Sequence, residues 1–302
     1  MNKKVKEILK HPSYLFLTLG HRGYFNWMND ETYIKIAHKI KMGKSLNLDN
    51  PRTYNEKLQW LKLNNHKKSY TKLADKYEVR EFVANTIGEE YLIPLLGVWD
   101  NLNEIDFTTL PQQFVLKCTH DSGGVIICND KNNLNIKKAK SKLKKSLKHN
   151  FYWGQREWIY KDIKPRVIAE KFMVEESKAE LKDYKFFCFN GEVKAMFIAT
   201  DRSSDTRFDF YDTHFNHMPF MQYYPNADKK IIKPKAFEQM LEIARTLSNG
   251  FPHVRVDLYD INGKIYFGEM TFFHFSGWKK FNPSYYDRLF GDWLELPNEI
   301  IK

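Results

Sequence analysis

The sequence predicts an α+β protein in which a mainly helical N-terminal region precedes a series of antiparallel strands. Segments of the first 110 residues carry apolar side chains at helical spacing. Later segments alternate between apolar and polar residues and meet at short turns, two of which contain Asn-Gly. With 302 residues, of which 42% are hydrophobic, the chain can bury a sizeable core and divide into two or three lobes.

The composition describes a basic protein with few cysteines. Its net charge of +11 favours polyanionic partners such as nucleotide triphosphates, acidic glycans, anionic lipid or nucleic acid, without choosing among them. The three cysteines form no CxxC pair, and we interpret them as buried thiols in a reducing compartment. The sequence contains neither HExxH nor GxxxxGK[ST], so zinc-peptidase and P-loop interpretations lose their usual support.

The start of the chain is basic and is followed by a short apolar run. Lysines occupy positions 3, 4 and 6, and the apolar run extends from Tyr14 to Leu19. This run is too short to span a bilayer, and no small-residue cleavage site follows it. We therefore expect a cytoplasmic protein without a transmembrane segment.

Four segments are predicted as helices: Thr53–Leu63, Leu73–Gly88, Asn135–Asn150 and Phe237–Leu247. The first opens with a capping box, because Thr53 is followed three residues later by Glu56. The second is expected to be one helix that ends at Gly88. The third is rich in lysine, and its charged face is either solvated or in contact with a membrane surface or a polyanion.

The segment Phe114–Cys128 (FVLKCTHDSGGVIIC) consists of two apolar strands around a polar, glycine-containing loop. On the first strand Lys117 points away from the face of Leu116 and Cys118. Glycines allow close backbone approach, and loop N–H groups beside a lysine suit phosphate oxygens. An ordinary hairpin shows the same local pattern, so both interpretations stay open here.

The segment Arg166–Met173 (RVIAEKFM) is predicted as a strand that ends in a charged pair and continues with apolar residues. Backbone groups from Glu170 to Met173 are suited to contact an adenine edge, with Phe172 or Met173 packed on the base. A plain core strand is the competing interpretation.

A hairpin is predicted over Lys182–Ala199, with its turn at Asn190-Gly191. Asp183 and Lys185 share one face of its first strand, where they would serve a ribose and a phosphate or form a surface ion pair.

Residues 201–224 are expected to form a loop rich in aromatic residues. This loop carries Arg202, Arg207 and His214, and we interpret it as the candidate region for an acceptor substrate.

A further hairpin near the C-terminus turns at Asn262-Gly263 and carries two carboxylates. A two-residue turn would pair Val256 with Glu269 and leave Asp257 on the other face. A three-residue loop would place Arg255 opposite Glu269, with Asp257 a diagonal neighbour about 7–8 Å away at Cα. Carboxylates at that separation can share a hard cation such as Mg²⁺. The alternative is a hairpin with solvated surface charges.

Taken together, six segments resemble the ATP-grasp ligases, and more narrowly the TupA-like group named for a teichuronopeptide ligase. They are NEKLQWLKL (55–63), LADKYEVR (73–80), FVLKCTHDSGG (114–124), IAEKFM (168–173), DYKFFCFNG (183–191) and RVDLY with YFGEMTF (255–272). The resemblance implies two α+β lobes that grip a nucleotide between antiparallel sheets. The N-terminal region would cover residues 1–110, the small lobe with the phosphate loop 111–172, and the large lobe with the metal site 173–302.

The resemblance also implies roles for individual residues. Catalysis would depend on Lys117, Lys185 and Arg255. ATP would contact Lys117, Thr119, His120, Asp121, Ser122, Gly123, Gly124, Glu170, Lys171, Phe172, Met173, Asp183 and Lys185. Mg²⁺ would be held by Asp257, Glu269 and Thr271. The substrate would contact Arg202, Arg207, Ser276 and Gly277.

The sequence departs from the family pattern at two places beside the second carboxylate. Thr271 stands where ATP-grasp enzymes often have an asparagine ligand. His274 and Phe275 replace a turn that commonly contains proline. The metal ligand set and the acceptor geometry are the features that these departures affect.

The implied reaction activates a carboxylate with ATP and joins it to an amine. Metal ions, lysine and arginine relieve the repulsion between the attacking carboxylate and the triphosphate. The expected partners are an amine or amino acid and an acidic sugar of a cell-surface polysaccharide, with no nucleic acid and with possible peripheral membrane contact. Two alternatives remain, namely a glycosyltransferase, for which a DxD motif is missing, and a non-enzymatic binder of acidic polymers through residues 137–148.

Overall fold

The computed structural model describes residues 12–174, 181–201 and 204–302. The α-helices of this part are α1 (Tyr14–His21), α2 (Asp30–Met42), α3 (Tyr54–Asn64), α4 (Ser69–Ala74), α5 (Val79–Ile87), α6 (Ile136–Leu147), α7 (Tyr152–Gln155), α8 (Phe237–Ser248) and α9 (Tyr285–Trp293). No helix in the described residues is long and apolar enough to cross a membrane.

The strands are short and entirely antiparallel in their pairing. They are β1 (Leu95–Trp99), β2 (Phe114–Cys118), β3 (Val125–Cys128), β4 (Val167–Lys171), β5 (Asp183–Phe189), β6 (Glu192–Thr200), β7 (Arg207–Tyr211), β8 (His217–Met218), β9 (Met221–Gln222), β10 (His253–Ile261), β11 (Lys264–Thr271) and β12 (Phe281–Asn282). They form a four-stranded sheet, β1-β4-β2-β3, a six-stranded sheet, β11-β10-β5-β6-β7-β8, and a two-stranded sheet, β12-β9. The α+β class is confirmed.

The local signals for three of the four predicted helices are confirmed. The capping box of α3 is present, with the Thr53 side chain accepting from the Glu56 backbone N–H and the Glu56 carboxylate accepting from that of Thr53. The Asn135 side chain caps α6 by accepting from the backbone N–H of Lys138. The amphipathic α8 lies within one residue of its predicted bounds.

The prediction of one helix over Leu73–Gly88 is wrong, although its end at Gly88 is right. The helix breaks because the Asp75 carboxylate accepts hydrogen bonds from the backbone N–H groups of Tyr77 (2.7 Å) and Glu78 (3.2 Å). A side chain that captures backbone donors in this way offers the chain an alternative to helix. The break places Lys76 on the wall of the cleft described below.

The six-stranded sheet buries one face against α8. Val254, Val256 and Leu258 of β10 are fully buried in the same cluster as Met240 and Ala244 of α8. Because side chains alternate along a strand, the residues between these valines and leucine point to the other face of the sheet. That second face carries the charged residues of the candidate site.

The expectation that residues 201–224 form a loop is wrong for the segment Arg207–Tyr211, which is β7 in the large sheet, and for the two-residue strands β8 and β9. Phe208 and Phe210 are buried there, and their rings lie 4.6 and 5.2 Å from that of Phe197 on β6. Packing against the neighbouring strand β6 stabilises this segment as a strand. The sequence of the segment by itself does not show that β6 lies beside it.

Candidate active site

The C-terminal hairpin turns through two residues. Ile261 pairs with Lys264, and Asn262 and Gly263 both have positive φ, 55° and 81°. This is the geometry of a tight hairpin turn that Asn-Gly favours. The three-residue loop considered from the sequence is therefore wrong.

A β-bulge resets the register before the strands reach the carboxylates. Leu258 pairs with Phe267, but Asp257 pairs with Glu269, so Gly268 is the extra residue. A Cβ at position 268 would lie 3.0 Å from the Asp257 carbonyl oxygen, which explains a glycine there. As a result, Asp257 and Glu269 lie directly opposite each other on one face. Neither of the two registers considered from the sequence included this arrangement.

The neighbouring strand adds a lysine to the same face. Lys185 of β5 is the Cα partner of Asp257, and its Nζ contacts the Asp257 carboxylate. The same Nζ lies 2.6 Å from Oδ2 of Asp183, as expected for two residues on one strand face. Three adjacent strands thus bring two acids and a lysine into one row.

Arg255 lies beneath this row and is held by several acceptors. Its Nε and Nη2 each donate at 2.7 Å to the two oxygens of Asp257. Its Nη2 also lies 3.0 Å from the Thr271 hydroxyl and 3.3 Å from Oε1 of Glu269. Only 7% of Arg255 is exposed, so the guanidinium is fixed by charge-assisted hydrogen bonds in a dry environment.

The surrounding cations control the ionisation of the carboxylates. Burial by itself would raise the pKa of Glu269, but Lys76, Lys185 and Arg255 outweigh it and lower that pKa to about 2. Burial raises the pKa of Asp257, while Arg255 and Lys185 act in the opposite direction. Glu269 is therefore an anion at neutral pH.

Lys76 is a cleft residue that the sequence analysis missed. Its Nζ donates to the carbonyl oxygen of Asp121 at 2.5 Å, and its backbone N–H donates to that of Thr119 at 3.2 Å. It therefore ties the break between α4 and α5 to the glycine loop. The signal that could have revealed it is the helix-breaking Asp75 directly before it.

The small sheet supplies the opposite wall of the cleft. Lys117 of β2 donates to Oε2 of Glu170 on β4 at 2.6 Å. Arg80, also missed from the sequence, lies 3.3 Å from Oε1 of the same carboxylate and donates to the Ile93 carbonyl at 2.9 Å. This charged cluster fixes the end of β4, where the chain continues into Phe172 and Met173.

A cleft of about 1040 Å³ lies between these walls. Its charged lining residues include Lys76, Lys117, Lys185, Asp257 and Glu269. Its apolar lining residues include Ile93, Phe172, Met173, Leu181, Tyr259 and Phe267. A space lined by both apolar side chains and lysines suits a molecule that carries a flat base and several phosphates.

A family model describes most of this chain. The model of the TupA-like ATP-grasp proteins matches residues 56–295. The chain belongs to the TupA-like ATP-grasp family. The family and fold inferred from the six sequence segments are thus confirmed.

Solved structures with a similar fold are distant. The chain is 14% identical to D-alanine–D-alanine ligase from Bacillus anthracis complexed with ATP (TM-score 0.39; 69% of this chain and 56% of that chain covered). The chain is also 14% identical to the D-alanine–D-alanine ligase from Helicobacter pylori (TM-score 0.40; 73% of this chain and 59% of that chain covered). It is 15% identical to N5-carboxyaminoimidazole synthase from Aspergillus clavatus (TM-score 0.38; 68% of this chain and 46% of that chain covered). The chain therefore spans less than two thirds of each of these proteins, and no curated protein matches it significantly.

Only part of the glycine loop of this ATP-grasp chain faces the cleft. Ser122 lines it, and Gly123 is exposed. Thr119, His120 and Asp121 are buried, with His120 and Asp121 bonded to Ser146 of α6. The backbone N–H of Gly124 donates to Oδ1 of Asp121 at 2.9 Å. These contacts fix the shape of the loop, and its contact with ATP stays a prediction.

Three of the four residues assigned to the substrate, namely Arg207, Ser276 and Gly277, do not line the cleft. The carbonyl oxygens of Ser276 and Gly277 accept from Nε2 of Gln59 at 2.9 and 3.0 Å, so this buried turn anchors α3. Arg207 donates to Asp205 and to the Asn226 carbonyl. Arg202 lies outside the described residues.

The carboxylate pair fits the ligand preference of a magnesium ion. Within the described residues, no group of three or more His, Cys, Asp or Glu side chains is arranged to hold a metal. Mg²⁺, however, is usually bound through one or two carboxylates and the phosphates of its substrate. Asp257 and Glu269 supply the two carboxylates, and the Glu269 side chain is 39% exposed toward the cleft. The Thr271 hydroxyl lies 3.4 Å from Oε1 of Glu269 and is thus next to the two carboxylates.

Proposed function

We propose that this chain is an ATP-dependent carboxylate–amine ligase that forms an amide through an acyl-phosphate intermediate. The observation that carries the proposal is the convergence of two carboxylates from β10 and β11 on a cleft that lysines enter from other elements. Lys76, Lys117 and Lys185 come from the α4–α5 break, β2 and β5 respectively. Such a cleft neutralises a triphosphate and leaves space for a second anionic reactant.

The nucleotide would lie with its base against Phe172 and Met173. These residues follow directly on β4, whose last residues Glu170 and Lys171 also line the cleft. Backbone groups at a strand end suit the polar edge of a purine, while apolar side chains suit its faces. Asp183 lines the cleft beside Lys185 and would serve the ribose.

Asp257 and Glu269 would hold Mg²⁺ against the phosphates, with Thr271 a weaker candidate. A bound Mg²⁺ supplies charge neutralisation at the transferring phosphoryl group. The lysines act on the same charge from the protein side, and the pKa of Glu269, lowered to about 2, keeps that ligand ionised. Glu269 is therefore available as an anionic ligand at neutral pH.

In the proposed reaction the substrate carboxylate oxygen attacks the γ-phosphorus of ATP, and the bond to the bridging oxygen of ADP breaks. The amine then attacks the acyl carbon, phosphate leaves, and the amine loses a proton. Neither step needs an enzyme nucleophile. The buried thiols agree with this, because burial raises the pKa of Cys118 to about 11 and that of Cys188 to about 12.

The substrates proposed are an amino acid or other amine and a uronic acid of a cell-surface polysaccharide or its precursor, in the cytoplasm. The family likeness to a teichuronopeptide ligase and the net charge of +11 support an acidic glycan partner. Family membership favours a ligase over a glycosyltransferase or a non-enzymatic binder.

The experiment combines the protein with Mg²⁺-ATP and panels of uronic acids and amines. We expect ADP and phosphate, not AMP, to be released only in the presence of an accepted acid. Hydroxylamine should trap the activated carboxylate as a hydroxamate and so identify the acid. AMP release, or sugar transfer from a nucleotide sugar without ATP turnover, would overturn the proposal.

A further inference from the structure

The donors of Arg255 are almost fully assigned. A guanidinium has five N–H groups in one rigid plane. The Nε–H and the two Nη2–H groups are taken by Asp257, Thr271 and Glu269, and one Nη1–H donates to His274 Nδ1 at 2.6 Å. The second Nη1–H has no acceptor within the described part of the chain. Arg255 does not line the cleft itself but borders it through Glu269, so this N–H is the donor that it can offer to a reactant there. Since the plane is rigid, the acceptors at Asp257 and His274 together determine where that donor points.

The protonation of His274 follows from this contact. Arginine can only donate, so Nδ1 must present its lone pair, and the imidazole carries its proton on Nε2. Nε2 lies 2.9 Å from Oε1 of Gln222, and the Gln222 amide nitrogen donates to the carbonyl oxygen of Lys279 at 3.3 Å. Burial and the positive charge of Arg255 hold the pKa of His274 well below its ordinary value, which keeps the ring neutral. The chain of hydrogen bonds therefore has one direction, from Arg255 to a backbone carbonyl.

The side chains of His274 and Gln222 are both held in place by their surroundings. His274 and Gln222 are each 1% exposed. The His274 ring meets the Phe187 ring edge-on, with centroids 4.8 Å apart. Gln222 lies on β9 and pairs with Phe281 of β12. Neither side chain lines the nucleotide cleft, so their contacts do not serve ATP directly.

We propose that His274 and Gln222 are positioning residues that orient Arg255 so that its remaining Nη1–H meets the oxygen on which negative charge develops during acyl-phosphate formation and amide formation. The inference rests on the proposed ligase function. It assigns a role to His274, which replaces the usual turn residue of the family, and to Gln222, a residue of a segment that the sequence analysis expected to be a loop.

The test compares two variants that remove an acceptor. His274→Phe keeps an aromatic ring against Phe187 but removes the acceptor for Nη1, and Gln222→Leu removes the acceptor for the imidazole. Misplacement of a catalytic group by about 1 Å costs on the order of 10²-fold in rate. We expect kcat to fall by about 10²-fold in His274→Phe and by less in Gln222→Leu, with the KM for ATP unchanged within about threefold. Met221→Leu, at the exposed neighbour of Gln222, is the matched control and should keep wild-type turnover.

The double variant separates positioning from general damage. If the two residues act only through Arg255, His274→Phe with Gln222→Leu should lose no more kcat than His274→Phe alone. His274→Gln, which offers an amide oxygen to Nη1, should recover part of the loss. Multiplied losses in the double variant, or an equal rise in the KM for ATP, would overturn the proposal.

A measurement without turnover keeps this inference distinct from the ligase proposal. In histidine-selective ¹⁵N NMR of the whole protein, the signals that the wild type shows and His274→Phe lacks belong to His274. They should be those of a neutral ring protonated at Nε2. An imidazolium or a ring protonated at Nδ1 would refute the directed chain, whatever the activity. A wild-type protein that consumes no ATP with any acid, but shows the expected tautomer, would refute the ligase proposal and leave the hydrogen-bond assignment standing.

Discussion

The two carboxylates of the hairpin should respond differently to loss of charge, because they differ in burial and in partners. Asp257 is 1% exposed and accepts two 2.7 Å bonds from Arg255 as well as a contact from Lys185. The Glu269 side chain is 39% exposed and lies 3.3 Å from Arg255. We therefore predict that Glu269→Gln affects catalysis alone, whereas Asp257→Asn affects catalysis and stability.

The magnitudes follow from these contacts. Loss of a metal-binding carboxylate should lower kcat/KM by roughly 10²–10⁴-fold in either variant, which corresponds to about 3–5 kcal/mol of barrier. Asp257→Asn also places an amide N–H₂ against the donors of Arg255 in a buried site. Breaking a buried ion pair on one side costs about 3–5 kcal/mol of folding free energy. The half-exposed pair of Glu269 with Arg255 is screened by solvent and should contribute no more than about 1 kcal/mol.

The assay measures ADP release against Mg²⁺ concentration, together with urea unfolding of each variant. We expect Glu269→Gln to unfold near the wild-type midpoint and to need much more Mg²⁺ for any residual turnover. Near-wild-type turnover of both variants would refute the metal assignment. Equal loss of stability in both would refute the distinction drawn from burial.

Three further outcomes are expected. Lys76→Met should raise the KM for ATP by about 10-fold or more and leave the fold intact, because Lys76 is a cation of the cleft next to Glu269. An unchanged KM for ATP would contradict this role of Lys76. Gly268→Ala should destabilise the protein by about 1–3 kcal/mol and lower turnover, since its Cβ would press on the Asp257 carbonyl at 3.0 Å, which unfolding and ADP release would both report. Burial lowers the pKa of His253 to about 3, so its contribution to stability is present above the ordinary value of 6.5 and is lost as pH falls toward 3. The unfolding free energy should therefore fall by up to about 1.4 kcal/mol per pH unit in that window, and His253→Gln should remove this slope.

The sequence could predict those parts of the fold whose signals are local. The capping box at Thr53, the Asn-Gly turns and the apolar spacing of α8 each specify one element within a few residues, and the structure has all of them. The segment that forms β7 alternates polar and apolar residues as well, but over only five residues. Its two phenylalanines pack against Phe197 of β6, a contact that the segment by itself does not show.

Prediction of the site failed where one residue changes the geometry of a whole segment. The identities of Asp257 and Glu269 were evident, but their alignment depends on Gly268, whose bulge shifts the register by one. Lys76 was hidden because its segment has helical spacing, and only the Asp75 side chain interrupts the helix. The two residues that decide the geometry, Gly268 and Asp75, are small or turn-forming. Their effect depends on hydrogen bonds that a periodicity pattern does not contain.

The two departures from the family pattern meet at one side chain. Thr271, in place of an asparagine, lies 3.0 Å from Nη2 of Arg255, and His274, in place of a turn residue, accepts from Nη1 at 2.6 Å. A hydroxyl and a neutral imidazole are uncharged acceptors, so they fix the guanidinium without adding to the negative charge of Asp257 and Glu269. If Arg255 acts on a reactant as proposed, the two departures from the family pattern change the support of the arginine as well as the metal ligand set.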